Sequence, residues 1–456
     1  MRVLGIGDYN DFGSLYLRLA GEGHDVRVHV REKGSRDVLA GMLTFVNSWK
    51  AQLPWIREAG ADGLILFEET GHGALQDQLR REGFLVVGGS EYGDTLEADR
   101  ALGQAIVREA GLLTAASHAF TSFDDAIAFI GAQPGRYVLK FNGGFLTSDQ
   151  NYVGMRDDGV DVISALRFHA RTWEADWGVT PEFILMDHVK GVETGLGAFF
   201  NGTEFIGPVN LDWEYKRFCA GDLGELTGEM GTVVTYRGGD KLFAATLAKV
   251  APMLRAAKHV GYVNLNTIIN ADGIWPLEFT MRFGYPGFAI LSVLMAEGCG
   301  TVLQRIAAGS AQPVATHDGY AIGVCITVPP FPYHHGYEEL SKGMPVCLPA
   351  DLTDGEKLNL HYGEVAMVDG QLVTAGQIGL VMVVTGRGPT IEAAQHAVYA
   401  LAGKVAIPNV RYRKDIGDSL RTAGYAELAR LGWVEATDAM AAVGTFEPVG
   451  TPSSDR

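Results

Sequence analysis

Positive charge is what this chain most lacks. Its 37 Lys and Arg face 54 Asp and Glu, leaving a formal net charge of -17. Such a background disfavours nonspecific attraction to nucleic acid or to an anionic membrane, and a small anionic ligand needs a local basic pocket. Cysteine is scarce too. Cys219, Cys299, Cys325 and Cys347 stand far apart, with no C-x-x-C pair and no histidine at metal spacing. That pattern excludes a thiolate metal site and fits reduced thiols. Long apolar runs are missing: no window approaches the roughly 20 residues of a membrane span. The start, MRVLGIGDYN, carries one Arg and no apolar signal core. A cytoplasmic protein is expected, with small-molecule partners, no nucleic acid and no membrane, as a monomer or small homo-oligomer.

What is present is a foldable chain. An apolar content of 47% is too high for disorder. Residues 1–96 alternate short apolar runs (RVLGIG, DVRVHV, GLILFE, FLVVGG) with helical stretches, which implies a doubly wound parallel sheet. Its first turn, GIGDYNDFG, does not match G-x-G-x-x-G and reads as a tight strand-to-helix turn. An amphipathic helix is expected from Glu97 to Ala110, carrying Arg100. Strands then dominate 97–315, ending in the hairpin GYVNLNTIINADGIWPLEFTMRFG with Asp272-Gly273 at its turn. A helix is expected over about 241–260. Residues 316–435 form a further β-rich unit, and 436–456 a polar tail.

Three stretches could carry chemistry. In the hairpin, Glu278, Thr280 and Arg282 share one strand face, as Asn264 and Asn266 do on the partner strand. If the two faces coincide, hard oxygen donors meet beside a guanidinium, which suits Mg²⁺ on substrate phosphates; a solvated hairpin face is the other reading. Lys140 ends the strand YVLK beside Gly143 and Gly144, where it could meet a phosphate or merely guard a sheet edge. Residues 214–231, EYKRFCAGDLGELTGEMG, set Lys216 and Arg217 against Gly221, Gly224, Gly228 and Gly231. Glycine weakens both helix and strand, so a flexible charged loop is expected.

Taken in order, these stretches resemble an ATP-grasp ligase, specifically the glycinamide ribonucleotide synthetase (phosphoribosylamine–glycine ligase) family. There D-H-K-R leads into G-D-x-G-P-N-T-G-G-M-G; here EYKR leads into GDLGELTGEMG. The metal strand E-F-N-x-R-F-G-D-P-E is matched by EFTMRFGYPG, the hinge E-E-F-L-x-G-x-E by MDHVKGVE, and the closing motif by YRKDIG at 412–417. The resemblance implies an ATP-grasp fold with an N-terminal doubly wound domain and a C-terminal β-rich domain. It also implies formation of an amide through an acyl phosphate.

Carried over by position, Arg100, Lys140, Asp187, Val189 and Glu193 would bind ATP. Glu278, Thr280 and Asn266 would hold Mg²⁺ (with Mn²⁺ as an alternative). Lys216, Arg217 and Arg282 would be catalytic, and Asp222, Thr227, Gly228 and Tyr285 would meet substrate.

Departures cluster at the substrate end. GIGDYNDF replaces G-N-G-G-R-E-H-A, and Tyr285-Pro286-Gly287 replaces D-P-E. Thr280 stands for the metal-binding Asn, Met186 for a hinge Glu, and Gln104 for a lysine. A ligase of the same chemistry with altered carboxylate and amine substrates is therefore expected. Orthodox purine synthesis and a non-catalytic nucleotide-binding protein are the alternatives.

Overall fold

The computed structural model describes residues 1–141, 151–176 and 182–435. Gly143, Gly144 and the expected tail at 436–456 lie outside the described residues. The N-terminal strands pair in parallel in the order Thr44–Phe45, Asp25–Val30, Arg2–Gly7, Gly63–Phe67, Leu85–Val87. Apolar side chains on both faces of Arg2–Gly7 and Gly63–Phe67 are buried, as parallel strands with helices on each side require.

A small antiparallel sheet follows, ordered Ser117–Phe120, Phe183–Asp187, Tyr137–Phe141, Tyr152–Val153. Tyr137, Leu139, Phe183 and Leu185 pack one face against the helices Phe123–Ala132 and Val160–Asp176. Alternation then turns Val138, Lys140 and Met186 to the other face.

The largest sheet has eight strands. Its order is Gly273–Thr280, Val260–Asn270, Val192–Asn201, Phe205–Glu214, Gly231–Thr235, Tyr320–Thr327, Leu380–Gly388, Leu360–Tyr362. This single sheet crosses residue 316, so the division expected there separates sequence segments that share one set of hydrogen bonds.

Several local expectations are revised. The expected helix from Glu97 to Ala110 is two helices, Glu91–Ala98 and Arg100–Glu109. Asp99 breaks them apart and caps the second by accepting from the Leu102 N–H. The expected helix over 241–260 is likewise two, Asp240–Ala245 and Leu247–Ala256. The glycine-rich stretch is not a loose loop. It forms paired strands, Arg217–Cys219 and Leu223–Leu226, turning through Asp222 at φ 56°.

Candidate active site

The eight-stranded sheet builds the floor of the site rung by rung. Glu278 lies opposite Asn266, Asn266 opposite Gly195, and Gly195 opposite Asp212. The next rung runs Thr280, Asn264, Gly197, Asn210. The two hairpin faces considered from the sequence therefore do coincide. Gly195 and Gly197 leave a trough in this floor. A Cβ on Gly195 would collide with the Asp212 carboxylate, and one on Gly197 with the Tyr262 hydroxyl. Glycine is needed here for space, not for backbone angle.

The small sheet faces this floor across a cleft of about 910 Å³. That is the size of a pocket for a drug-sized ligand or nucleotide. Val138, Met186, Ile268 and Leu277 give it an apolar slot, and Arg100, Arg136, Lys140 and Lys216 give it cations. Arg217 adds a further cation, set against the carboxylates of Glu193, Glu214, Asp222 and Glu278. The Lys216 ammonium lies 3.1 Å from Glu193, 3.0 Å from Glu214 and 3.8 Å from Glu278. Arg100 stands 3.8 Å from Glu278.

These neighbours set the charges. Burial pulls the Lys140 ammonium down to about 8, with Arg100 adding to the effect. Burial would lower Lys216 too, but Glu193, Glu214 and Glu278 push it well above the usual lysine value. Burial would raise Glu278, but Lys216, Lys140 and Arg100 hold it below the usual carboxylate range. Glu278 thus stays ionised. Asn266 spends its amide N–H on Glu193 at 2.8 Å, which leaves its oxygen available beside Glu278. An ionised carboxylate next to a carboxamide oxygen fits a hard divalent cation such as Mg²⁺.

Comparison with known proteins agrees with this geometry. The family model "Phosphoribosylglycinamide synthetase, ATP-grasp (A) domain" matches residues 98–288, and the "C domain" model of the same enzyme matches 324–419. The chain is an ATP-grasp ligase similar to glycinamide ribonucleotide synthetase. The phosphoribosylamine–glycine ligase of Halalkalibacterium halodurans is 27% identical over 350 residues, 75% of this chain and 78% of that protein. That of Nostoc sp. is 27% identical over 358 residues, 75% and 80% of the two chains.

Two solved structures share the fold. The crystal structure of the Thermotoga maritima phosphoribosylamine–glycine ligase superposes with a TM-score of 0.67 at 23% identity, covering 91% of this chain and 100% of that one. The biotin carboxylase domain of the Hydrogenobacter thermophilus 2-oxoglutarate carboxylase, solved with MgADP and bicarbonate, gives 0.61 at 11% identity, covering 96% of each.

Within this ATP-grasp ligase the residues singled out from sequence divide into groups. Arg100, Lys140, Val189, Glu193, Lys216 and Glu278 line the cleft, as do Arg217, Asp222, Thr227 and Gly228 of the glycine-rich stretch. Asp222 also takes part in an anchor. Its carboxylate receives Arg413 at 2.7 Å, while Arg413 binds Asp415 at 2.6 Å and the Arg217 carbonyl at 3.0 Å. Asp187 closes its strand with an exposed side chain, and Met186 is the residue that faces the cleft.

Arg282 and Tyr285 stand outside the cleft lining. Arg282 pairs with Glu97 at 3.2 Å, and Tyr285 lines a small neighbouring cavity with Asp11 and Arg18. Thr280 and Asn264 border a second cavity of about 40 Å³ together with Asp212, Glu214 and Glu229.

Glu214, Asp212 and Glu229 are the groups that reading by motif passed over. Glu229 occupies a glycine position of the T-G-G-M-G motif, and Gly287 a glutamate position of D-P-E; both line that second cavity. Ser419, Leu420 and Gly424, from far along the chain, also reach the cleft.

Proposed function

We propose that this ligase uses ATP to activate the carboxyl group of a small acid and passes the acyl group to an amine. The observation that carries the reading is one cleft in which Arg100, Lys140 and Lys216 surround Glu278 beside an apolar slot. A carboxylate oxygen would attack the γ-phosphorus as its bond to ADP breaks. An amine nitrogen then attacks the acyl carbon, phosphate leaves, and the nitrogen gives up a proton.

Phosphoryl transfer of this kind asks for positioning and charge neutralisation more than covalent help. Arg100 and Lys140 are suited to the phosphates, Glu193 to ribose hydroxyls, and Val138, Met186 and Leu277 to the base. Glu278 and Asn266, with Thr280 one rung further, would hold Mg²⁺, which when bound neutralises phosphate charge. Lys216, Arg217, Thr227 and Gly228 would border the activated carboxyl group and keep water from it.

The finer reading is a substrate pair different from glycine and phosphoribosylamine. It is supported by the carboxylates along the substrate end: Asp11 and the Glu229-for-glycine exchange beside the cleft, with Asp8, Glu68 and Glu69 at the first turn. The names of the curated relatives favour a second reading, orthodox phosphoribosylamine–glycine ligation.

Incubating the protein with ATP, Mg²⁺ and a panel of acids and amines, glycine with phosphoribosylamine among them, and reading phosphate release tests both. Release confined to glycine with phosphoribosylamine would decide for the orthodox pair. ATP binding without release for any pair would leave a nucleotide-binding protein and overturn both.

A further inference from the structure

The 40 Å³ cavity beside Glu214 has an unusual wall. Asp212 is 6% exposed and has no ion-pair partner among the described residues. Its Oδ2 accepts from the Asn264 and Asn210 amides at 2.7 and 3.1 Å, but its Oδ1 receives no hydrogen bond there. Glu229, in the same lining, accepts the Thr232 hydroxyl on Oε1, and its Oε2 receives no hydrogen bond among the described residues. The cation Lys216 is already shared among Glu193, Glu214 and Glu278.

Asp212, its Oδ1 over Gly195, and Glu229 thus border a void and have no ion-pair partner among the described residues, and a buried charge without one is costly. That cost, burial first and repulsion from Glu214 second, pushes Asp212 up to about 7 and Glu229 well above the carboxylate range, and a cation between them would draw both back to the charged form.

The void also has a size. At roughly 10–15 Å³ for one water-sized centre, it holds about three heavy atoms, more than a lone ammonium. Glu214 borders both this cavity and the nucleotide cleft. The groups that would hold phosphate and those that would hold a cation are therefore neighbours. One small molecule can present a carboxyl group to the cleft and a protonated nitrogen to the cavity.

Building on the ligase reading above, we infer that the acid activated here carries a protonated amino group on a chain longer than glycine's, seated between Asp212 and Glu229. Asp212 and Glu229 are then specificity residues, and the chemistry of the acyl phosphate is untouched by them.

Hydroxylamine, which traps an acyl phosphate as a hydroxamate whatever the natural amine, isolates this half of the reaction. With ATP and Mg²⁺, β-alanine and 2,3-diaminopropionate should give kcat/KM at least about tenfold above both propionate and glycine. Asp212→Asn and Glu229→Gln should each erase the preference for β-alanine over propionate through KM, while ATP still raises the melting temperature, which certifies the fold. Propionate matching β-alanine, glycine outperforming it, or an unchanged preference in both folded variants overturns the inference. No hydroxamate from any of these acids, with ATP binding intact, overturns the inference; no phosphate release across the wider panel of acids and amines overturns the ligase reading on which it rests.

Discussion

Lys140 and Glu278 show how burial and neighbouring charges together set the charge of single groups. Glu278 keeps its charge because Lys216, Lys140 and Arg100 outweigh its burial. In the proposed metal site, removing that charge would take away an anionic oxygen donor, and it leaves Lys216, Lys140 and Arg100 less balanced. Glu278→Gln should therefore reduce turnover roughly 10²–10³-fold, read as phosphate release at saturating ATP. Near-normal rates would mean the metal strand is misassigned.

Lys140 titrates close to working pH, since burial brings it to about 8. The affinity for ATP should weaken as pH rises through that value and the ammonium is lost, and Lys140→Met should flatten the profile. The stability slope has the opposite sign. The folded value lies below the roughly 10.4 of an unfolded lysine, so the unfolded chain binds more protons between the two. Stability of the ligand-free protein from this group rises with pH across that window.

The paired strands at 217–226 illustrate what local composition misses. Glycine-rich sequence predicts mobility because each glycine loses more freedom on ordering. Here Gly221 and Gly224 take left-handed angles at the turn, at φ 72° and 79°, and the order comes from elsewhere. Arg413, nearly two hundred residues later in sequence, is 2% exposed and ties the turn to Asp222, Asp415 and the Arg217 carbonyl. Arg413→Met should cost about 2–3 kcal/mol, by the worth of hydrogen bonds to charged groups. It should also expose the 217–226 segment to limited proteolysis. An unchanged denaturation midpoint would show that the segment holds itself.

Across the molecule as a whole, the cleft joins two sheets and a late segment, so its ligand should stabilise their assembly. MgATP at a hundred times its dissociation constant adds about 2.7 kcal/mol. With unfolding entropy near 2 cal/mol/K per residue, that is an upward shift of roughly 3 °C in a chain of this size. No shift with ATP would count against every nucleotide-binding reading.

Motif order made the ATP-grasp relationship legible, because each motif is local: the hairpin around Asp272-Gly273, the strand ending at Lys140, the run from Glu214 to Gly231. Alternation along strands also grouped Glu278 with Thr280 and Asn264 with Asn266, and left open whether the two faces coincide. None of those signals reports what lies across a sheet.

Periodicity and spacing along the chain set the strands, their polar faces and the set of groups able to meet a triphosphate, since these follow from backbone geometry over a few residues. Folding alone settled which groups meet. It laid Asp212 over Gly195, drew Arg282 to Glu97, and clamped a glycine-rich turn with Arg413. Each of those contacts joins residues separated by 17 to 191 positions, through packing and charge that no stretch of sequence contains by itself.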